Sequence, residues 1–274
     1  MVIQHNIAAI NSYRNLSTNQ SALSKNLEKL SSGYKINRAG DDAAGLAISE
    51  TMRSQINGLN QAVNNANDAI GLIQTAEGAM TETHSMLQRM KTLTTQAANS
   101  TYTDDARKNI QSEIDALKSE ITRIATTTEF NSKKPLKPDK AGDTLTFFIG
   151  ASNDPLNSMH VTQTLMTADA LKLNTITVKG SAEAVTALKT VEDAIGVVST
   201  YRASLGAAQN RLEHTVNNLK VTSENITSAE SRIRDTDMAE EITAYTKNNI
   251  LLQAAQSMLS QSNAMPQGVL SMLQ

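Results

Sequence analysis

Asp41 and Asp42 stand side by side in the stretch NRAGDDAAGLAISE (residues 37–50), with Arg38 and Gly40 before them and Gly45 after. Paired carboxylates can ligate a divalent cation, and closely spaced glycines can open a phosphate cradle. The spacing favours neither. Neighbouring residues on a helix point about 100° apart, so adjacent aspartates do not readily share one metal, and no further convergent ligand stands nearby. The glycines follow no strand pattern and match neither GxxxxGKS/T nor GxGxxG. Aspartate is, however, among the best residues for a helix start, where its oxygen accepts free N–H groups and its charge suits the dipole. Asp41 or Asp42 is therefore expected to cap a following helix, with Gly33 and Gly40 letting the chain turn ahead of it.

The other reactive side chains form no constellation. His5, His84, His160 and His214 show no HxxxH or HExxH spacing, and no strand-turn-helix elbow surrounds a serine. The absence of cysteine excludes disulfides and thiolate chemistry. No catalytic residue, metal ligand or cofactor site is assigned. With 25 Lys+Arg against 27 Asp+Glu, and the basic residues scattered, neither nucleic acid nor an anionic membrane is an expected partner. No apolar run approaches the roughly 20 residues of a membrane span, and the start, MVIQHNIAAINSYRN, lacks the pattern of a cleavable signal peptide.

What the sequence does carry is periodicity. Only 3% of the 274 residues are aromatic, so Leu, Ile, Val, Met and Ala must do the burying, as in long packed helices. Apolar residues recur three and four apart through Ile3, Ile7, Ile10 and Leu16, and again at Leu23, Leu27 and Leu30. A long run takes in Met52, Ile56, Leu59, Val63, Ile70, Ile73, Met80 and Leu87. A third run is Ile110 to Ile124, a fourth Leu188 to Ile233, and a last one holds Met238, Ile242, Tyr245, Leu252 and Leu259, with Val269 and Leu273 beyond Pro266. Stripes this narrow must pack on one another. Thr103 or Asp104 is the expected cap of the third helix, and Asp237-Met-Ala-Glu240 resembles a capping box restarting the last. Between Phe130 and Gly180 lie three of the four prolines and short alternating runs, Leu145-Phe147-Ile149 and Ile176-Val178, expected as short strands, with a helical turn at 168–173. The fold class is mainly α, an elongated bundle of amino- and carboxy-terminal helices with a small β-hairpin region in the middle.

The two terminal stripes allow two readings. They could pair as an ordinary coiled coil, or they could be too thin to be stable alone and become ordered only on packing with other copies.

Several long motifs then resemble one family. LEKLSSGYKINRAGDDAAGLAISETMRSQINGL (27–59) and DAIGLIQTAEGAMTETHSMLQRMKTLTTQAAN (68–99) resemble the amino-terminal half of bacterial flagellins. RASLGAAQNRLEHTVNNL (202–219) and ENITSAESRIRDTDMAEEI (224–242) resemble the carboxy-terminal half. The middle is short, as in a compact flagellin without large outer domains. The resemblance implies a structural subunit of the flagellar filament, exported unfolded through the flagellar type III system and located outside the cell. The implied partners are other copies of itself, an export chaperone at the carboxy-terminal helices, the filament cap and the hook-junction proteins. It implies terminal helices 1–32 and 238–274 lining an inner tube, connecting hinges at 33–44 and 234–237 (Gly33, Gly40, Asp41, Asp42), and a shell domain 45–233. Shell helices are expected at about 42–98, 104–129 and 183–233, with the β-containing segment at 130–180. Ile3, Ile7, Ile10, Leu27, Leu30, Ile242, Leu252, Leu259, Val269 and Leu273 are the implied self-assembly residues.

Flagellins of many bacteria are also sensed by Toll-like receptor 5. The family's contact motif corresponds here to Leu87-Gln88-Arg89-Met90-Lys91-Thr92-Leu93, with Glu113 on the next helix; Gln88, Arg89, Leu93 and Glu113 are the implied receptor contacts. Lys91-Thr92 departs from the common Arg-Glu, and Phe130-Asn131-Ser132-Lys133-Lys134-Pro135 departs from FNGKKLL. The alternative to a flagellin is a cytoplasmic helical-hairpin signalling or adaptor protein, which would not need separate terminal stripes joined by charged hinges.

Overall fold

The computed structural model describes residues 6–138, 140 and 142–272. Over these residues it is mainly α, with five α-helices and one hairpin: α1 (Ile7–Ser32), α2 (Ala43–Ala98), α3 (Asp104–Thr127), β1 (Thr144–Phe148), β2 (Ser158–Thr162), α4 (Ser181–Arg234) and α5 (Met238–Met272). The chain divides into two compact units, one of residues 1–54 with 224–274 and the other of residues 55–223. These divisions fall inside α2 and α4. The reason is that the first turns of α2 and the last turns of α4 are tied to the connectors, as described below.

In the unit 55–223, α2, α3 and α4 share one apolar core. Ala66, Ala69, Ile73, Ala76, Met80, Leu87 and Met90 line α2; Ile110, Ile114 and Ile121 face them from α3, and Val191, Val198, Leu205 and Leu212 from α4. The small residues of α2 allow close approach, while Thr83 and Thr94, also buried, return their hydroxyls to the carbonyls of Ala79 and Met90. Thr103 caps α3, its hydroxyl accepting from the Ala106 N–H. Buried Arg107 turns back to the end of α2 and donates to the carbonyls of Ala97 and Asn99, while Ser181 donates to that of Ala98. The last two carbonyls of a 56-residue helix, those of Ala97 and Ala98, are thereby met from two other segments.

β1 and β2 pair antiparallel, with Leu145 opposite Val161 and Phe147 opposite Met159. Met159 and Val161 are buried in the shared core, and Asn65 of α2 donates to the Phe148 carbonyl. The alternation at Leu145 and Phe147 is thus a strand, as expected. That at Ile176 and Val178 is not. Both side chains are buried, but their backbone finds side chains of α3 in place of a partner strand: the Gln111 Oε1 accepts from the Val178 N–H at 2.9 Å, and the Lys118 Nζ donates to the Ile176 carbonyl at 2.9 Å. Residues 168–173 form turns leading into a short 3₁₀ segment at Leu173–Thr175.

Phe130 and Lys133 exchange backbone hydrogen bonds around a two-residue turn in which Asn131 has φ 47° and Ser132 φ 63°. Asparagine tolerates the left-handed region, whereas serine is strained there, and glycine is the preferred second residue of such a turn. Ser132→Gly is therefore expected to raise stability by about 1 kcal/mol. Thermal unfolding followed by circular dichroism checks this, and an unchanged or lowered midpoint would contradict the strain.

Candidate assembly surface and its supporting joint

In the unit 1–54 with 224–274, α1 and α5 pack along one another. The seam is unusual for a coiled coil. On α1 the half-buried or buried positions include Leu16, Asn19, Leu23, Asn26 and Leu30, an alternation of three and four in which two of five members are asparagine. Asn26 is buried. With its amide nitrogen turned toward Glu241, it donates to Oε1 at 3.1 Å, and its oxygen accepts from the Asn248 amide at 3.1 Å. Lys29 lies 3.6 Å from the other oxygen of Glu241, and the Asn6 amide donates to the Ser262 carbonyl near the far end. Such polar layers fix register at a cost in stability.

The large aliphatic side chains mostly point elsewhere. Ile7 is 62% exposed, and Ile10, Tyr13 and Leu27 are likewise exposed on α1, as are Met238, Ile242, Ile250, Leu251, Met258 and Met265 on α5. Of the residues expected in self-assembly, Ile7, Ile10, Leu27 and Ile242 are in this exposed set, while Leu30, Leu252 and Leu259 are half-buried in the pair. Ile3 and Leu273 lie outside the described residues, as does the side chain of Val269.

The connectors between these helices and α2 and α4 hydrogen-bond to each other. Lys35 N–H donates to the Arg234 carbonyl at 2.7 Å, and Thr236 N–H to the Gly33 carbonyl at 3.0 Å, around the pairing of Tyr34 with Asp235. The Arg234 guanidinium lies 4.6 Å over the Tyr34 ring and donates to Glu50 at 2.8 Å and to Ser49 at 3.2 Å. Ser49 in turn reaches Glu230 at 3.4 Å.

The two aspartates divide the work. Asp42 caps α2 through the Gly45 N–H at 2.9 Å, while Asp41 turns backward and accepts from the N–H groups of Asn37 and Arg38. At the other connector, Asp237 caps α5 by accepting from Ala239 and Glu240. Gly33 has φ 75° and closes α1 in the left-handed conformation. Gly40 does not share that role: its φ is ordinary and a Cβ there would meet open space. The glycine under pressure is Gly45, where a Cβ would come within 2.5 Å of the Asp42 carboxylate and 2.7 Å of Ile36. Sequence reasoning also missed the pairing of Tyr34 with Arg234, which is long-range and leaves no periodic signal, and the burial of Ile36 beside Gly45.

The hydrogen bond from Arg234 holds the Glu50 carboxyl below its ordinary value, and the Arg38 backbone N–H does the same for Asp41. A carboxyl depressed in the folded state stabilises above its unfolded value, and that contribution is lost as pH falls through the folded one. The joint is therefore expected to hold unchanged from neutrality to about pH 4.5, then weaken as acid reaches both groups. The thermal midpoint should fall below that pH, and Glu50→Gln should flatten the fall. An identical profile for the variant would remove Glu50 from the account.

On α2, Gln88 and Arg89 are exposed, and Arg89 Nε lies 2.8 Å from Glu113 of α3. Leu93, expected beside them, is only 2% exposed. It stands about 40° around the helix from Arg89, toward the side of Met90 and Ala97, and joins the core with them. The exposed ridge beyond Arg89 is formed by Thr92 and Gln96 instead.

Residues 3–140 match the bacterial flagellin N-terminal helical region, and residues 188–273 the bacterial flagellin C-terminal helical region. The chain is 51% identical to the flagellin of Bacillus subtilis (strain 168) and 47% identical to that of Halalkalibacterium halodurans, over the whole of both chains in each case. It is 44% identical to the flagellar filament 33 kDa core protein of Treponema phagedenis, again over the full length of both. The crystal structure of Bacillus cereus flagellin superposes with a TM-score of 0.50 at 29% identity, covering 61% of this chain and 94% of that one. The structure of a flagellar hook-associated protein from Vibrio parahaemolyticus gives a TM-score of 0.61 at 11% identity, covering 71% of this chain and 100% of that one, a likeness of fold alone. A helical core, a terminal helix pair with uncovered aliphatic faces, and these relatives define a structural protein rather than an enzyme. The chain belongs to the bacterial flagellin family.

Proposed function

We propose that the chain is the subunit of an extracellular flagellar filament used for swimming, and that it polymerises through α1 and α5. The observation that carries this is the division of the terminal pair into a polar seam and exposed aliphatic faces. A pair that keeps Asn26 inside and Ile7, Ile10, Ile242 and Ile250 outside leaves most of its hydrophobic stabilisation to be gained against other copies. Contacts of this head-to-tail kind that do not close generate a helical polymer. In this reading Ile7, Ile10, Leu27 and Ile242 make subunit contacts, Leu30, Leu252 and Leu259 hold the pair together, and the clasped connectors hold the ends of the pair to each other. Ile3, Val269 and Leu273, which extend the same apolar spacing in the sequence, are included in the proposal as subunit contacts. Export through the flagellar type III system, with a chaperone holding α5, belongs to the same reading, as do contacts with the filament cap and hook-junction proteins. The test is electron microscopy of purified monomer after seeding. Long tubes are expected, and removal of residues 1–30 or 240–274 should abolish them; discrete particles from the intact chain would overturn the proposal.

Gln88, Arg89 and Glu113 are proposed as the contact for Toll-like receptor 5, without Leu93. The exposed Arg89–Glu113 pair supports this, since it presents a guanidinium on a rigid helix face. Arg89→Ala is expected to weaken binding of the monomer to the receptor ectodomain by on the order of 2 kcal/mol. Unchanged affinity in a titration would remove Arg89 from the contact.

A further inference from the structure

Among the described methionines, two groups stand at opposite extremes of exposure. Met80, Met90, Met159 and Met166 are buried in the core of the unit 55–223. Met258 and Met265, in contrast, are 63% and 54% exposed on α5. They stand seven residues apart and seven beyond exposed Leu251, so the three form one line along the helix beside the seam with α1. We propose that Met258 and Met265 are an oxidation site that gates assembly, open to peroxide in the monomer and covered in the polymer. This rests on the assembly reading above, because the line must lie against other copies for its polarity to matter.

The chemistry needs only a hydroperoxide as oxidant. The thioether sulfur attacks one peroxide oxygen, the O–O bond breaks as the S–O bond forms, and the departing hydroxide takes a proton to leave as water. Sulfur loses two electrons to the peroxide. A flexible apolar side chain becomes a polar, chiral sulfoxide. On a free helix face water solvates that oxygen, so the monomer keeps its fold. In a packed interface the sulfoxide must either find a donor or stay unsatisfied. Core methionines are shielded by packing and provide an internal reference in the same chain.

The test treats monomer with hydrogen peroxide, follows each methionine by peptide mass spectrometry, and then seeds polymerisation. Met258 and Met265 should oxidise ahead of Met80, Met90 and Met166, and the critical concentration should rise on the order of tenfold per sulfoxide. Filaments assembled first and treated afterwards should spare both sulfurs. Met258→Leu with Met265→Leu should polymerise normally and stay competent after peroxide, and Met258→Gln with Met265→Gln should assemble poorly without any oxidant. Equal oxidation of core and α5 methionines, unimpaired growth of oxidised monomer, or loss of assembly by peroxide-treated double-leucine protein would each overturn the gate. Untreated wild-type protein that fails to polymerise would sink the underlying assembly reading, a failure seen with no oxidant present.

Discussion

Changing Ile242 and Ile250 together to serine is expected to abolish filament growth while leaving the monomer as stable as before. Both side chains are exposed on α5, away from the seam that holds α1. Surface substitutions of this kind usually shift stability by no more than about 0.5 kcal/mol. If these faces are covered in the polymer, each isoleucine contributes roughly 1.5–3 kcal/mol on burial. Losing two raises the critical concentration by about two to four orders of magnitude. Thermal unfolding of the monomer and sedimentation after seeding separate the two effects. Filaments growing at the wild-type critical concentration would show that these faces touch no other copy; a monomer that unfolds early would show that they pack within the chain.

Why those faces were only partly legible in the sequence follows from two positions. Leu23, Leu27 and Leu30 read as a stripe by apolar spacing, yet the helix turns Asn26 inward beside Leu23 and Leu30 and leaves Leu27 exposed. A search for apolar residues cannot see a seam that includes asparagine. Its signal was there as a polar residue at a regular three-and-four spacing, which specifies register. Leu93 shows the opposite case. Its spacing from Arg89 and Gln96 puts all three within about 60° on a helix, but a core boundary runs between them and only a partner helix determines where. The core itself was plain: runs such as Ile110, Ile114 and Ile121 recur at the helical period and are buried as that period demands.

The joint was legible in its caps and not in its clasp. Aspartate before a helical run is a local signal, and Asp42 and Asp237 act as local chemistry predicts. Arg234 over Tyr34 joins residues 200 positions apart in sequence, for which no local pattern exists. The same holds for glycine. Gly40 sits in the bend that suggested its use, but its backbone is one any residue can adopt. Gly45 is tight inside a helix, where sequence offers no reason for it: the Ile36 and Asp42 side chains lie over its Cα and would have to shift for any larger residue.

Lys118→Met is expected to cost about 2 kcal/mol in stability, a large effect for a change that keeps the aliphatic stem. The Lys118 side chain is buried along its length against the core, and its ammonium ends on the Ile176 carbonyl at 2.9 Å and Asp115 at 3.0 Å. Methionine fills nearly the same volume but donates nothing, so the Ile176 carbonyl loses its charge-assisted partner in a place that a strand would otherwise serve. Gln111 supports the neighbouring residue through the Val178 N–H, and its amide also reaches Asp115 at 2.9 Å. The two side chains thus act together as a surrogate strand, and the double variant Lys118→Met with Gln111→Ala should show coupling, since Asp115 and the same short segment are shared. Chemical denaturation of the single and double variants measures this directly. A cost for Lys118→Met within about 0.5 kcal/mol of zero would mean that water replaces the ammonium at no penalty. Strict additivity would mean that Ile176 and Val178 are held independently. The expected outcome is a loss concentrated in this segment, because Ile176 and Val178 have the alternation of a strand and depend on α3 side chains for the hydrogen bonds a strand would have supplied.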